Sequence, residues 1–186
     1  MARIQQIAPA TATGKAKELL DVVQSKFGMV PNMTRAMANA PAVLDGYMQL
    51  SGALSKGKLS AKVREQLDLA ISQANDCEYC LAAHSAVGRM VGLSADQILD
   101  SRMGTSVDPK VDALIRFARK VVEAHGKVSN SDLEEVRDAG FDDGAIAEVV
   151  ASVALNVFTN YFNLVADTDI DFPKADALKN ETAAAS

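Results

Sequence analysis

The chain has no tryptophan, and only six Phe and three Tyr among 186 residues. Sheet cores draw on aromatic and β-branched side chains, so this poverty argues against a β-rich fold. Ala and Leu are plentiful instead, which favours helix packed on helix. There is no run of Lys and Arg. With a net charge of −5 and a pI near 5.0, the chain would repel a phosphate backbone overall, and no nucleic-acid partner is expected. No apolar stretch is both long and unbroken: the longest, about 145–158, contains Glu148 and Asn156, unlike a membrane span. The N-terminal residues Met1 to Pro9 have no apolar core followed by a cleavage signal. The expectation is a cytoplasmic protein with no membrane partner. There are two cysteines and two histidines, too few thiols for a multi-disulfide scaffold. In a reducing compartment a close cysteine pair is catalytic or metal-binding more often than structural.

Apolar residues make up 48 %, enough for one sizeable core, and the length fits one domain over 1–186. Helical periodicity with recognisable stops runs through nearly the whole chain. It predicts an all-α, single-domain bundle of eight to nine helices. The expected spans are 12–27, with Leu19, Leu20, Val23 and Phe27 inward, then 32–39, 41–55, 61–75 and 77–91. A short sixth helix follows Ser94 and ends before Gly104. The seventh runs from Asp108-Pro109 to about His125-Gly126, the eighth over Ser129–Ala139, and the ninth over about Asp143–Ala166. Ser60 is a good N-cap for the fourth helix and Asp76 for the fifth. The tail 174–186 is expected to fray.

Both cysteines and one histidine lie in Cys77-Glu78-Tyr79-Cys80-Leu81-Ala82-Ala83-His84. On a helix, Cys77, Cys80, Leu81, His84, Val87, Gly88 and Val91 share a face, and Tyr79 points the other way. Glu65 sits on the flank of the preceding helix, beside Leu69, and reaches the same place if the two helices pack as a hairpin. A helix start and a nearby imidazolium both favour a thiolate. If a thiol pKa fell from about 8.5 to about 6.5, the thiolate fraction at pH 7 would rise from about 3 % to about 75 %. Intrinsic nucleophilicity would fall about eightfold, leaving a gain of only about threefold. Fast thiol chemistry therefore needs a positioned acid, and His84 is the obvious one, with Glu65 to orient it.

Other readings of the same residues are weaker. Cys77, Cys80 and His84 supply three zinc ligands, but no fourth is evident and His125 is far along the chain; no metal is expected. Covalent haem needs a histidine directly after the second cysteine, where Leu81 stands. A structural disulfide closing so short a loop would contribute only about 2 kcal/mol. Two buried helix cysteines beside a core histidine remain the bland alternative.

The set Glu65-x11-Cys77-x2-Cys80-x3-His84 resembles the signature of the alkylhydroperoxidase-D-like branch of the carboxymuconolactone decarboxylase family. The likeness is strong over about 60–92, and the helical layout of the redox core, about 41–165, is similar too. The endings Asn156 to Asn163 and Asp169 to Pro173 look like the peroxidase-related subgroup. The resemblance implies an all-α fold that assembles as a homo-oligomer, a trimer or hexamer. It implies hydroperoxide reduction in which Cys80 becomes a sulfenic acid and Cys77 resolves it as a disulfide, with His84 and Glu65 as proton relay. No bound cofactor is implied, only an external dithiol reductant protein, lipoyl-carrying in the best-known members. One departure stands out: Tyr79 occupies a position where better-known hydroperoxidases have histidine. With a pKa near 10 it is a poor proton carrier, and it is left out of the catalytic set. The alternatives are a lactone decarboxylase-like reaction or a non-enzymatic thiol sensor.

Asn156, Asn160 and Asn163 recur at i, i+4 and i+7 on the ninth helix, and inter-helix or inter-subunit hydrogen bonding explains them better than substrate contact. Glu148 reads as a first-turn or solvent-facing residue, and Asp132, Glu134 and Glu135 as a solvated face. His125 sits near a helix C-terminus, where a cation is favoured. Met29, Met33, Met37 and Met48 read as core fillers.

Overall fold

In the computed structural model, residues 2–178 are described. They form nine α-helices and no strand: α1 (Gly14–Phe27), α2 (Asn32–Met37), α3 (Pro41–Leu54), α4 (Ala61–Ala74), α5 (Glu78–Met90), α6 (Ala95–Met103), α7 (Pro109–Glu123), α8 (Asn130–Asp138) and α9 (Asp143–Ala166). The all-α expectation holds, and the helix ends fall where the local chemistry puts them. Ser60 accepts from the Val63 amide, Ser94 and Ser129 each complete a capping box, and Asp108 accepts from Lys110 before the first-turn Pro109.

The central element is α4, which packs against α5, α6, α7 and α9. On one side Leu67, Ala70 and Ile71 meet Leu114, Ile115 and Ala118 of α7 and Val149 and Val153 of α9. On another, Leu69 is fully buried with Leu93 and Ile98. A helix enclosed on several sides buries residues that a one-face reading leaves on the flank. The third cluster joins Leu19, Leu20 and Val23 of α1, Met33 and Met37 of α2 and Leu44 of α3 to Cys77, Tyr79 and Cys80. The N-terminal helices thus roof the cysteine motif, and Met33 and Met37 are core residues as expected.

Several expectations are corrected. Phe27 is exposed rather than inward, because α1 ends at Gly28 and only Leu19, Leu20 and Val23 face the bundle. Asp76 does not cap α5; it adopts a left-handed conformation, φ 51°, and Cys77 is the cap. Glu148 is not a free surface group: its carboxylate accepts the amides of Lys58, at 2.7 Å, and Leu59, at 3.1 Å. The tail is tied down at its start, where Asp176 pairs with Arg89 and its carbonyl accepts from Arg102; residues 179–186 lie outside the described residues. α9 is long and apolar enough to cross a membrane by length and composition, but it carries buried Ser152, Asn156, Asn160 and Asn163 and packs in the bundle against α3, α4, α5, α7 and α8.

Candidate functional site

The site forms where α4 turns into α5. Asn75 ends α4, Asp76 makes the left-handed step, and Cys77 starts the next helix with its Sγ accepting from the Cys80 amide at 3.4 Å. Helix N-termini carry unsatisfied N–H groups and partial positive charge, which suits a thiolate. The proton that Cys80 shares toward Cys77 lowers the Cys77 pKa, with the helix-start amides assisting against burial. Cys80 is pushed up by that same sharing and by burial. Of the two thiols, Cys77 is therefore the more acidic. Both thiols are enclosed, 1 % and 3 % exposed.

His84 stands two turns beyond Cys77 on the same helix. Its Nδ1 meets Glu65 Oε2 at 2.9 Å, so the hairpin does deliver Glu65 to the imidazole. Burial pulls the His84 pKa down, but the charges of Glu65 and Asp68 and the Glu65 hydrogen bond outweigh it and raise it to about 9. At neutral pH it is an imidazolium, and its charge helps lower the Cys77 pKa.

Two neighbours were not anticipated. Asp68, one turn after Glu65 on α4, places Oδ2 3.8 Å from His84 Nδ1 and accepts from Asn156 Nδ2 at 2.6 Å. Burial raises its pKa to about 6, against the pull of His84 and with Glu65 adding to the rise. The i, i+3 spacing from Glu65 was the sequence signal for it. Tyr47 of α3 also borders the site, its pKa raised to about 12 by burial and by Asp68, Cys80 and Glu65. It comes from a different part of the chain, and no local pattern marks it.

Tyr79 points away from the relay, as helix geometry requires. Its hydroxyl donates to Asp171 at 2.9 Å and accepts from the Met33 amide at 3.2 Å, and Phe172 packs edge-on at 5.7 Å. Burial, above all, raises its pKa. Its role is to fasten α2 and the C-terminal segment over the cysteine motif. The asparagine line on α9 makes inter-helix bonds at every step: Asn156 to Asp68, Asn160 to Ser72 and Asn75, and Asn163 to Met33 and Cys80.

Among the described residues, the ligand types that converge as a cation cluster are Glu65, Asp68 and His84, with donor atoms within 4.8 Å of one another. Neither sulfur joins them, so the zinc set of Cys77, Cys80 and His84 is not assembled. Here His84 Nδ1 is already engaged by Glu65, and the cluster closes on itself as an ion pair.

Residues 41–124 match the carboxymuconolactone decarboxylase family. A peroxidase-related protein of Ralstonia eutropha JMP134 with an alkylhydroperoxidase AhpD core is 28 % identical, with a TM-score of 0.81 over 91 % of this chain and 92 % of that one. A peroxidase-related protein of Silicibacter sp. TM1040 is 23 % identical, with a TM-score of 0.79 over 91 % and 94 %. The debrominase Bmp8, in complex with 2,3,4-tribromopyrrole, shares the fold at 16 % identity and a TM-score of 0.77 over 91 % of each chain. No curated protein matches the chain significantly.

Proposed function

We propose that this chain, which belongs to the carboxymuconolactone decarboxylase family and has its alkylhydroperoxidase-D-like fold, is a thiol-dependent hydroperoxide reductase. The observation that carries the reading is the placement of a dithiol at a helix start beside an imidazolium held by Glu65. Cys80, as thiolate, attacks the terminal oxygen of ROOH. The O–O bond breaks, His84 protonates the departing alkoxide, and the products are ROH and a Cys80 sulfenic acid. Cys77 then attacks that sulfur; the S–S bond forms and water leaves. An external dithiol, of the lipoyl kind, supplies two electrons and two protons, returning Cys77 and Cys80 to thiols and becoming a disulfide itself. No bound cofactor or metal takes part. His84 gives its proton to the departing alkoxide and is reprotonated from solvent by way of Glu65, while Asp68 helps keep the imidazole charged.

The thiols are enclosed, so substrate and reductant reach them by displacing part of the roof made by α1, α2 and the C-terminal segment. The chain also acts as a homo-oligomer, a trimer or hexamer. That reading is supported by the outer stripe of α9, where Ala147, Val150, Ala154, Phe158, Tyr161 and Val165 are all exposed; apolar stripes of this length on soluble proteins are interaction surfaces.

The test is stopped-flow oxidation of the reduced protein by hydrogen peroxide and by an organic hydroperoxide, read by mass spectrometry. Cys77→Ser should stop at a sulfenic acid on Cys80, and Cys80→Ser should not react. A reactive Cys80→Ser would reverse the roles of the two sulfurs. Oxidation no faster than that of an ordinary free thiol would sink the peroxidase and leave the slow thiol sensor. Turnover of a lactone by a double Cys→Ser chain would point to the decarboxylase-like reaction.

A further inference from the structure

Cys77 is the more acidic of the two thiols, yet the attack proposed above is made by Cys80. Something must let Cys80 hold negative charge once its proton passes to Cys77. We infer that Asn163 is a catalytic residue, its side-chain N–H donating to Cys80 Sγ so that this buried sulfur can carry charge as nucleophile and again as leaving group when the disulfide is reduced.

Asn163 Nδ2 lies 3.3 Å from Cys80 Sγ and 3.1 Å from Met33 Sδ. The orientation of the amide follows from chemistry. A thioether has no proton to give, so the NH2 end must face Met33, and its second hydrogen then faces Cys80. The amide oxygen is left buried without a partner among the described residues. A side chain kept for packing alone would be better apolar, since an orphaned buried carbonyl is costly. Asn156 and Asn160 make their hydrogen bonds to Asp68, Ser72 and Asn75, of α4 and the α4–α5 turn, whereas Nδ2 of Asn163 makes both of its contacts to sulfur. Asn163, and after it Asn160, opposes the upward push on the Cys80 pKa. The ionisable groups around Cys80 are Cys77, Tyr79 and, one turn further along α5, His84 from its own segment, and Tyr47 from α3. The one cation among them, His84, is engaged by Glu65 through Nδ1, and the side-chain hydrogen bond donated to Cys80 Sγ comes from the neutral amide of Asn163.

The inference rests on the peroxidase reading for its consequence, but its test uses no peroxide. In the full chain carrying Cys77→Ser, Cys80 is the single thiol, and its pKa is read from the pH dependence of iodoacetamide alkylation and of thiolate absorbance. Asn163→Leu, of similar size and lacking the donor, should raise the Cys80 pKa by about one unit, a tenfold loss of thiolate below the pKa. Asn163→Asp, isosteric and carrying like charge, should raise it further. Met33→Leu should leave it within about 0.3 unit, because the donor to Cys80 remains. Melting temperature of each variant separates packing from donation. An unchanged Cys80 pKa in the folded Leu or Asp variant would overturn the inference, and so would a rise in Met33→Leu equal to that in Asn163→Leu. A protein that fails to reduce hydroperoxides could still show the shift, so the two readings fail separately.

Discussion

Replacing Glu65 with Gln removes one of the two carboxylates that hold His84 charged and keeps the shape of the side chain. The imidazole rises from 6.5 to about 9 in the folded protein, a preference of about 3 kcal/mol for the charged form. A charge-assisted hydrogen bond such as the 2.9 Å contact is worth about 2 kcal/mol, so its loss should lower His84 by about 1.5 units, to roughly 7.5. Asp68 remains to supply the rest. At pH 8.5 the protonated fraction would fall from about 76 % to about 9 %, while at pH 6 both proteins would stay almost fully protonated. With two histidines in the chain, isotope-labelled imidazole NMR gives two titration curves, and His125→Gln assigns them. Oxidation of the thiol pair should be about eightfold slower than in the parent at pH 8.5 beyond any difference at pH 6. Stability follows the same group. Because the folded pKa is raised, its contribution is fully present below pH 6.5 and disappears as pH rises through 9, and Glu65→Gln should show only about half of that decline. A His84 pKa within 0.3 unit of the parent, or a rate ratio equal at both pH values, would refute the relay.

Other substitutions probe the surroundings. Asp68→Asn removes a carboxyl whose pKa is raised from 3.8 to about 6; the parent loses that contribution as pH climbs through this window, so the variant should be more stable by about 1–2 kcal/mol above pH 6 and equal near pH 4 in urea titrations. An unchanged pH dependence would contradict the burial of that charge. Asp171→Ala takes the acceptors from the Tyr79 hydroxyl and the Asn32 amide and should cost about 1–3 kcal/mol. It should also speed the reaction of Cys77 and Cys80 with a bulky disulfide reagent; equal rates would mean that the segment does not guard the thiols. Val150→Glu with Val165→Glu should reduce the assembly to monomers by light scattering while helicity is retained, and an unaltered mass would clear α9 as the interface.

Much of the fold was legible because its helices are bounded by local chemistry: Ser60, Ser94, Asp108 and Ser129 cap where short side chains at a helix start should. The site was legible to the extent that it is local. Cys77, Cys80 and His84 share one face, and Glu65 required only the hairpin. Asp68 was hidden in plain view at i+3, because a helical wheel ranks polar residues by distance from one apolar stripe, and α4 has neighbours on several sides. The same enclosure buries Leu69. Phe27 misled in the opposite sense: its periodicity fits, but α1 has left the bundle by then. For Asn163 the sequence pattern predicts inter-helix or inter-subunit bonding, and inter-helix bonding is what its neighbours do; only three-dimensional register shows that its amide also meets Cys80. The shifted Cys77 cap depends on the left-handed turn at Asp76, a conformation that non-glycine residues adopt too seldom for sequence to announce it.

The Tyr79–Asp171 contact joins residues ninety-two positions apart in the chain. During synthesis the cysteines therefore emerge long before the segment that seals them, and until Asp171 and Asp176 arrive, the tyrosine between them has no carboxylate and Arg89 no counter-ion. The nascent chain passes through a period in which its two most oxidisable atoms lack their cover, and the order of translation places the closing fastener last.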